Sequence, residues 1–218
     1  MTQRKVPTAI LISGRGSNMK SLVAAARAAD YPAEIVLVIS NRPEAAGIAW
    51  AREQGLPVTV IDHRQFATRD AFEAALEAAL VAAGAEIVAL AGFMRLMTPG
   101  FVERWQTRMV NIHPSLLPAF KGLHTHERAL AAGVRIHGCS VHYVRAEMDS
   151  GPIIAQAAVP VVSGDSAETL AARVLEAEHR LYPLAVALVA SGRVRCEDEK
   201  ISILEDINDS YPLLSPKT

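Results

Sequence analysis

Asn111 and His113 stand two positions apart in Met109-Val110-Asn111-Ile112-His113-Pro114. On a β-strand that spacing puts both side chains on one face. A carboxamide beside an imidazole suits attack on a carbonyl. The amide N–H can donate to an oxygen that gains negative charge, and a histidine can give or take a proton near neutral pH. Pro114 holds His113 out of helix and closes the strand. Taken in isolation, an Asn-x-His reads first as a polar strand end whose Asn and His satisfy loop backbone. Further on, Asp149-Ser150-Gly151-Pro152 reads as a turn entering a strand. Its carboxylate either bonds turn backbone or stands against His113, where an opposite charge favours imidazolium. Ser140 and His142 alternate with period two on another strand, share a face, and are expected to line the same pocket.

A second constellation lies near the N-terminus. Ser13-Gly14-Arg15-Gly16-Ser17-Asn18 follows an apolar strand and precedes a helix. A glycine turn at a helix N-terminus leaves N–H groups pointing outward, and the helix dipole favours an anion there. Ser17 and Asn18 can cap the helix or donate to a phosphate oxygen. The loop matches neither the Walker nor the dinucleotide fingerprint, and a plain tight turn stays open. His124 and His126 flank Thr125 at a helix start. They read as capping or surface groups, since no carboxylate or cysteine set accompanies them as metal ligands.

These residues need a scaffold, and the apolar pattern supplies one. Short β-branched runs at 8–12, 34–40, 58–61, 86–91 and 109–112 predict buried strands. Between them, 18–29, 45–54, 70–83 and 99–104 predict helices. Alternation of this kind predicts a single-domain α/β fold, Rossmann-like and doubly wound, around a mostly parallel sheet. Ligands bind such sheets at the carboxyl ends of their strands, where Asn111 and His113 fall. Residues 138–144 and 153–161 predict antiparallel or mixed strands added in the C-terminal half. Asp165 and Glu168 mark a helix start, and Pro183 is expected to kink or end that helix.

The 218 residues carry a net charge of −1, and half of them are apolar. There is no basic excess to bind nucleic acid and no apolar run of about 20 residues to span a membrane. The short polar stretch 1–7 is not a secretory signal. Cys139 and Cys196 lack metal-type spacing, which suits a reducing, cytoplasmic setting without a metal.

Five motifs occur in one order: Gly14-Arg15-Gly16-Ser17-Asn18, Ala91-Gly92-Phe93-Met94-Arg95, Asn111 to Pro118, Gly122-Leu123-His124-Thr125-His126 and Asp149-Ser150-Gly151-Pro152-Ile153. Together they resemble the folate-dependent phosphoribosylglycinamide formyltransferases of purine biosynthesis. The resemblance implies transfer of a formyl group from 10-formyltetrahydrofolate to the glycyl amine of 5'-phosphoribosylglycinamide, by direct attack. It implies Asn111, His113 and Asp149 as the catalytic trio, and Gly16, Ser17 and Asn18 as the seat of the substrate phosphate. Glu178 matches a carboxylate near the substrate amine. Arg69, Met94, Arg95, Leu96, Met97 and Asn111 match folate-binding positions, as does the loop of Arg145, Ala146, Glu147 and Met148. The partners expected are these two small molecules, and a homodimer is left open. The resemblance covers residues 8–195, so a formyltransferase domain is expected at 1–195 and a tail without assigned role at 196–218.

Other readings stand beside this one. Methionyl-tRNA formyltransferase shares the trio's pattern but is expected to carry an added tRNA-binding domain and a basic surface. Formyltetrahydrofolate deformylase is expected to carry a regulatory domain before the first strand, for which a start near Thr8 leaves no room. A non-catalytic folate or phosphosugar binding module is the rival outside enzymes, and the retained acid–base residues speak against it.

Overall fold

The computed structural model describes residues 4–204. Five strands run parallel: β1 (Val6–Ile12), β2 (Ala33–Ser40), β3 (Val58–Val60), β4 (Ile87–Leu90) and β5 (Met109–His113). Then β6 (Ile136–Tyr143) and β7 (Ile153–Pro160) extend the sheet antiparallel. The order is β3-β2-β1-β4-β5-β6-β7. Strand order therefore reverses direction between β1 and β4, and the crevice beyond their carboxyl ends is the ligand position of a doubly wound sheet. The expected α/β architecture is the one observed.

Helices α1 (Ser17–Ala26), α2 (Ala46–Glu53), α3 (Arg69–Ala82), α4 (Pro99–Arg104), α5 (Thr125–Ala131) and α6 (Ala167–Ala190) complete the layers. Ile10 and Ile12 of β1 pack with Met19, Leu22 and Tyr182 on one side of the sheet. Ala9 and Leu11 pack with Phe72, Leu76 and Phe101 on the other. All four β1 side chains are fully buried. Burial on both faces is why these strands read as unbroken apolar runs.

Pro183 neither ends nor breaks α6, which runs on to Ala190. A proline inside a helix costs about 3 kcal/mol. Tyr182, Ala185, Val186 and Leu188 lie buried around it, and each large apolar side chain buried there contributes roughly 1.5–3 kcal/mol. The Tyr182 hydroxyl also donates to the carbonyls of Leu90 and Val110, at 2.9 and 3.2 Å. Packing outweighs the lost backbone bond. It also aims Glu178, one turn earlier on the same face, over the ends of β4 and β5. The helix starts at a capping box of Ser166 and Thr169, while Asp165 pairs with Arg173 at 2.8 Å.

A hairpin of β8 (Val194–Glu197) and β9 (Lys200–Ile203) follows α6. The boundary expected at 195 thus falls within β8, and positions 205–218 of the expected tail lie outside the described residues.

Candidate active site

The pairing of β5 with β6 sets Asn111 opposite His142 and His113 opposite Ser140. All four side chains therefore share one face, as the period-two spacing predicts. They do not share one fate. The Ser140 hydroxyl donates to the Ser115 carbonyl and accepts from the Leu117 N–H, at 2.7 and 3.0 Å. Gln156 donates to it as well. Ser140 is fully buried and lines no part of the cleft. The pocket-lining expectation fails for it because the 115–117 segment covers it and spends its hydrogen bonds.

The cleft has a volume of about 710 Å³. His113 and Asp149 meet in it. His113 Nδ1 lies 3.4 Å from Asp149 Oδ2, and both side chains are nine-tenths or more buried. The other ring nitrogen, Nε2, lies 3.1 Å from the Phe120 carbonyl oxygen. A carbonyl only accepts, so Nε2 carries hydrogen. Asp149 is fixed in turn: its Oδ2 accepts the Gly122 N–H at 2.8 Å, and its Oδ1 lies 3.8 Å from His142 Nε2.

His142 fixes Asn111. Its Nδ1 lies 2.9 Å from the Tyr143 carbonyl and so holds the proton, which leaves Nε2 as acceptor. Burial pushes the His142 pKa down, which keeps that ring neutral. Asn111 Nδ2 lies 3.2 Å from Nε2 and must be the donor. One N–H of the amide is thereby spent, and the second is left for a ligand.

The glycine loop leads to the same cleft through Asn18. Gly16 takes a left-handed conformation, φ 70°, at the position before α1, and a Cβ there would stand 2.8 Å from the Met19 methyl. No side chain caps α1, so its first N–H groups stay uncapped. The capping alternative for Ser17 and Asn18 is not what forms. Asn18 instead donates to Glu178 Oε2 at 2.6 Å and leaves its buried Oδ1 without a partner. Burial pushes the Glu178 carboxyl pKa up, with the Asn18 bond opposing. Asn18 and Glu178 line the cleft. Ser17 lines a second depression of about 460 Å³ with Arg15, Lys20 and His179.

Arg145, Ala146 and Met148 line the cleft, as do Met94, Arg95, Leu96 and Met97. Their segment is anchored where Met94 N–H donates to Ser13 Oγ at 2.8 Å. Two expected folate positions are not brought in. Arg69 is exposed at the first turn of α3. Glu147 is 77 % exposed and turns to Lys121 at 3.4 Å, because a strongly hydrated carboxylate favours a surface cation over an apolar wall. His124 is the surface group expected, with its side chain 74 % exposed at the N-cap of α5, though without a side-chain cap bond; it and the half-buried His126 also line the cleft. Among the described residues, no group of three or more His, Cys, Asp or Glu is placed to hold a metal ion.

Two participants were not legible as residue types. The Phe120 carbonyl and the Gly122 N–H are backbone groups, which residue type does not mark. Behind the site, outside the cleft lining, His137 is 1 % exposed. Its ring stands edge-on to Phe120 and His126, with centroids 5.8 and 5.3 Å away. Burial, and then the neighbouring His126, push its pKa down to about 4. The unfolded chain then binds a proton near pH 6.5 that the folded chain takes up only near 4. Stability must fall as pH drops through that window, by about 3 kcal/mol at the limit. A His137→Gln variant should show a shallower loss of denaturation midpoint between pH 6.5 and 4; slopes equal to wild type would sink this assignment.

Known proteins resemble this chain over most of its length. The formyl transferase family matches residues 6–186. The trifunctional purine biosynthetic protein adenosine-3 of Gallus gallus is 49% identical over 191 residues, 88% of this chain; the chain spans only 19% of that protein's length. Phosphoribosylglycinamide formyltransferase of Escherichia coli is 41% identical over 87% of this chain and 89% of its own. The crystal structure of glycinamide ribonucleotide transformylase 1 from Symbiobacterium toebii superposes with a TM-score of 0.90 at 43% identity, covering 92% of this chain and 95% of that one.

Proposed function

Because the chain belongs to the phosphoribosylglycinamide formyltransferase branch of the formyl transferase family, we propose that it moves the formyl group of 10-formyltetrahydrofolate onto the glycyl amine of 5'-phosphoribosylglycinamide. The observation that carries this reading is the meeting of Asn111, His113 and Asp149 in the cleft that Asn18 and Glu178 also line.

The phosphate docks on the uncapped N–H groups of Gly16, Ser17 and Asn18, with Arg15 and Lys20 adding positive charge nearby. The glycyl amine points toward Glu178 and Asn18, whose free Oδ1 accepts from it. The pterin lies against the 94–97 segment and Arg145, Ala146 and Met148, all of which line the cleft. The neutral amine attacks the formyl carbon. A new N–C bond forms, and the carbonyl electron pair moves to oxygen. The second Asn111 N–H donates to that oxyanion. His113, as the imidazolium paired with Asp149, carries hydrogen on Nδ1 as well as Nε2 and supplies the other donor through Nδ1–H, since 3.4 Å to Asp149 is longer than the 2.7–3.2 Å of an N–H···O bond. Collapse of the intermediate breaks the C–N10 bond. The proton lost by the amine reaches N10 through the His113–Asp149 pair. No covalent enzyme intermediate is required, and holding two substrates in register supplies much of the rate.

Cys139 and Cys196 are both free thiols, in keeping with a cytoplasmic setting. Among the described residues, no helix is long and apolar enough to cross a membrane. A steady-state assay with both substrates tests the reading. The expected result is a formylated glycinamide product together with free tetrahydrofolate; absence of that product at high enzyme concentration overturns it.

A further inference from the structure

The β8–β9 hairpin lies beyond the stretch matched by the family, which ends at residue 186, yet it reaches back to the loop that carries Asp149. Its two turn residues, Asp198 and Glu199, both have positive φ, 48° and 59°. That conformation matches the twist of a two-residue hairpin and fixes the Glu199 side chain on a short, defined turn. Both Glu199 oxygens then meet Arg145: Nε donates to Oε2 at 2.8 Å and Nη2 to Oε1 at 3.0 Å. The geometry is two-pronged, the form in which guanidinium–carboxylate pairs are strongest and most directional. The Arg145 side chain is only 15 % exposed. Two further contacts are local: Nη1 donates to the Val144 carbonyl at 3.0 Å and Nη2 also reaches Cys196 Sγ at 3.8 Å.

The stem of Arg145 forms part of the loop's base. A Cβ on Gly151 would stand 3.2 Å from Arg145 Cγ and 1.8 Å from the Tyr143 carbonyl oxygen. The two legs of the loop therefore touch, with glycine needed at the contact. The Tyr143 N–H also bonds the Pro152 carbonyl at 3.0 Å. Between these legs sits Asp149 in a left-handed conformation, φ 52°, which a non-glycine residue holds only when its surroundings impose it.

We infer that Glu199 is a positioning residue for formyl transfer: its two-pronged pair with Arg145 holds the 145–149 loop where Asp149 meets His113. This rests on the activity proposed above. Glu199 touches neither substrate, and acts through Arg145.

Glu199→Gln keeps the shape and removes the charge. Two measurements are paired. The first is kcat and KM for each substrate; the second is hydrogen exchange of the amides at 145–151, which needs no activity. The expected result is faster exchange in that segment, with kcat/KM for the formyl-folate lowered about three- to tenfold, as befits a half-exposed two-pronged pair. KM for the phosphorylated amine should stay within about twofold of wild type on the same ground. Native kinetics overturn the inference whatever the exchange does. So does an equal loss for both substrates accompanied by a lower Tm, which marks a merely structural hairpin. Wild-type protein without formyl transfer, but with exchange that quickens on substitution, defeats the activity reading and leaves the clamp standing.

Discussion

Asp149→Asn is expected to lower kcat by about two to four orders of magnitude, the range a positioned acid–base group supplies, while binding of the phosphorylated amine stays near wild type. Asparagine is the informative replacement because the site can hold it without moving. Its oxygen can keep the Gly122 N–H that Asp149 accepts at 2.8 Å. Its NH₂ can face the Oδ1 side, where His142 Nε2 stands 3.8 Å away. What disappears is the negative charge opposite His113 Nδ1, and that charge lies in a pocket where both side chains are nearly buried. In such surroundings a charge acts with little screening. The proton that travels from the attacking amine to N10 then has no anion beside its carrier. The proposed phosphate seat at 16–18 lies on the turn after β1 and the start of α1, and should be untouched. Measurement of kcat alongside calorimetric binding of the acceptor separates the two effects. A variant within threefold of wild-type turnover removes Asp149 from the chemistry.

The parallel half of the fold was legible because its signals are local. Continuous β-branched runs, closed by Gly and Pro, mark β1 to β5, and observed strand bounds differ from the expected ones by one or two residues. For α4 the expected and observed spans agree, Pro99–Arg104, since Thr98 caps it and Pro99 opens it. At Pro183 the helix does not end, for a reason of another kind. A proline's effect depends on what the next turn buries, and the contacts of Tyr182 and Val186 with the sheet are long-range. The trio was legible as residue types in a motif order. Its assembly was not, because 36 positions in the chain separate His113 from Asp149. The antiparallel return of β6 along β5 closes that gap, through the register of Asn111 with His142. Ser140 shows the same limit. Its face followed from alternation, while its burial under residues 115–117 depends on where a loop comes to rest. Arg69 and Glu147 were carried over from family positions, and neither lines the cleft; a motif position does not say where a long polar side chain settles. The Phe120 carbonyl, held at φ 54°, leaves no trace in residue type at all.

Asn111→Ala is expected to lower kcat by about a hundred- to thousandfold, the usual cost of removing one oxyanion donor, with a smaller effect on KM for either substrate. The size of the effect follows from how the amide is held. His142 donates Nδ1–H to Tyr143 and is kept neutral by burial, so its Nε2 accepts one Asn111 N–H. The amide cannot flip without setting its oxygen against a lone pair. Its second N–H is therefore already aimed before substrate arrives, and no reorganisation is required as charge develops. A donor organised in advance stabilises the transition state more than the ground-state carbonyl, which places the loss in kcat. Two companions sharpen the test. Asn111→Asp nearly preserves volume but sets a carboxylate oxygen where the donor stood, and should be at least as slow as the alanine variant. His142→Ala keeps the donor and frees its orientation, and should fall between wild type and Asn111→Ala. A loss confined to KM in Asn111→Ala would mean uniform binding of the formyl-folate, and the amide would then lose its place at the oxyanion.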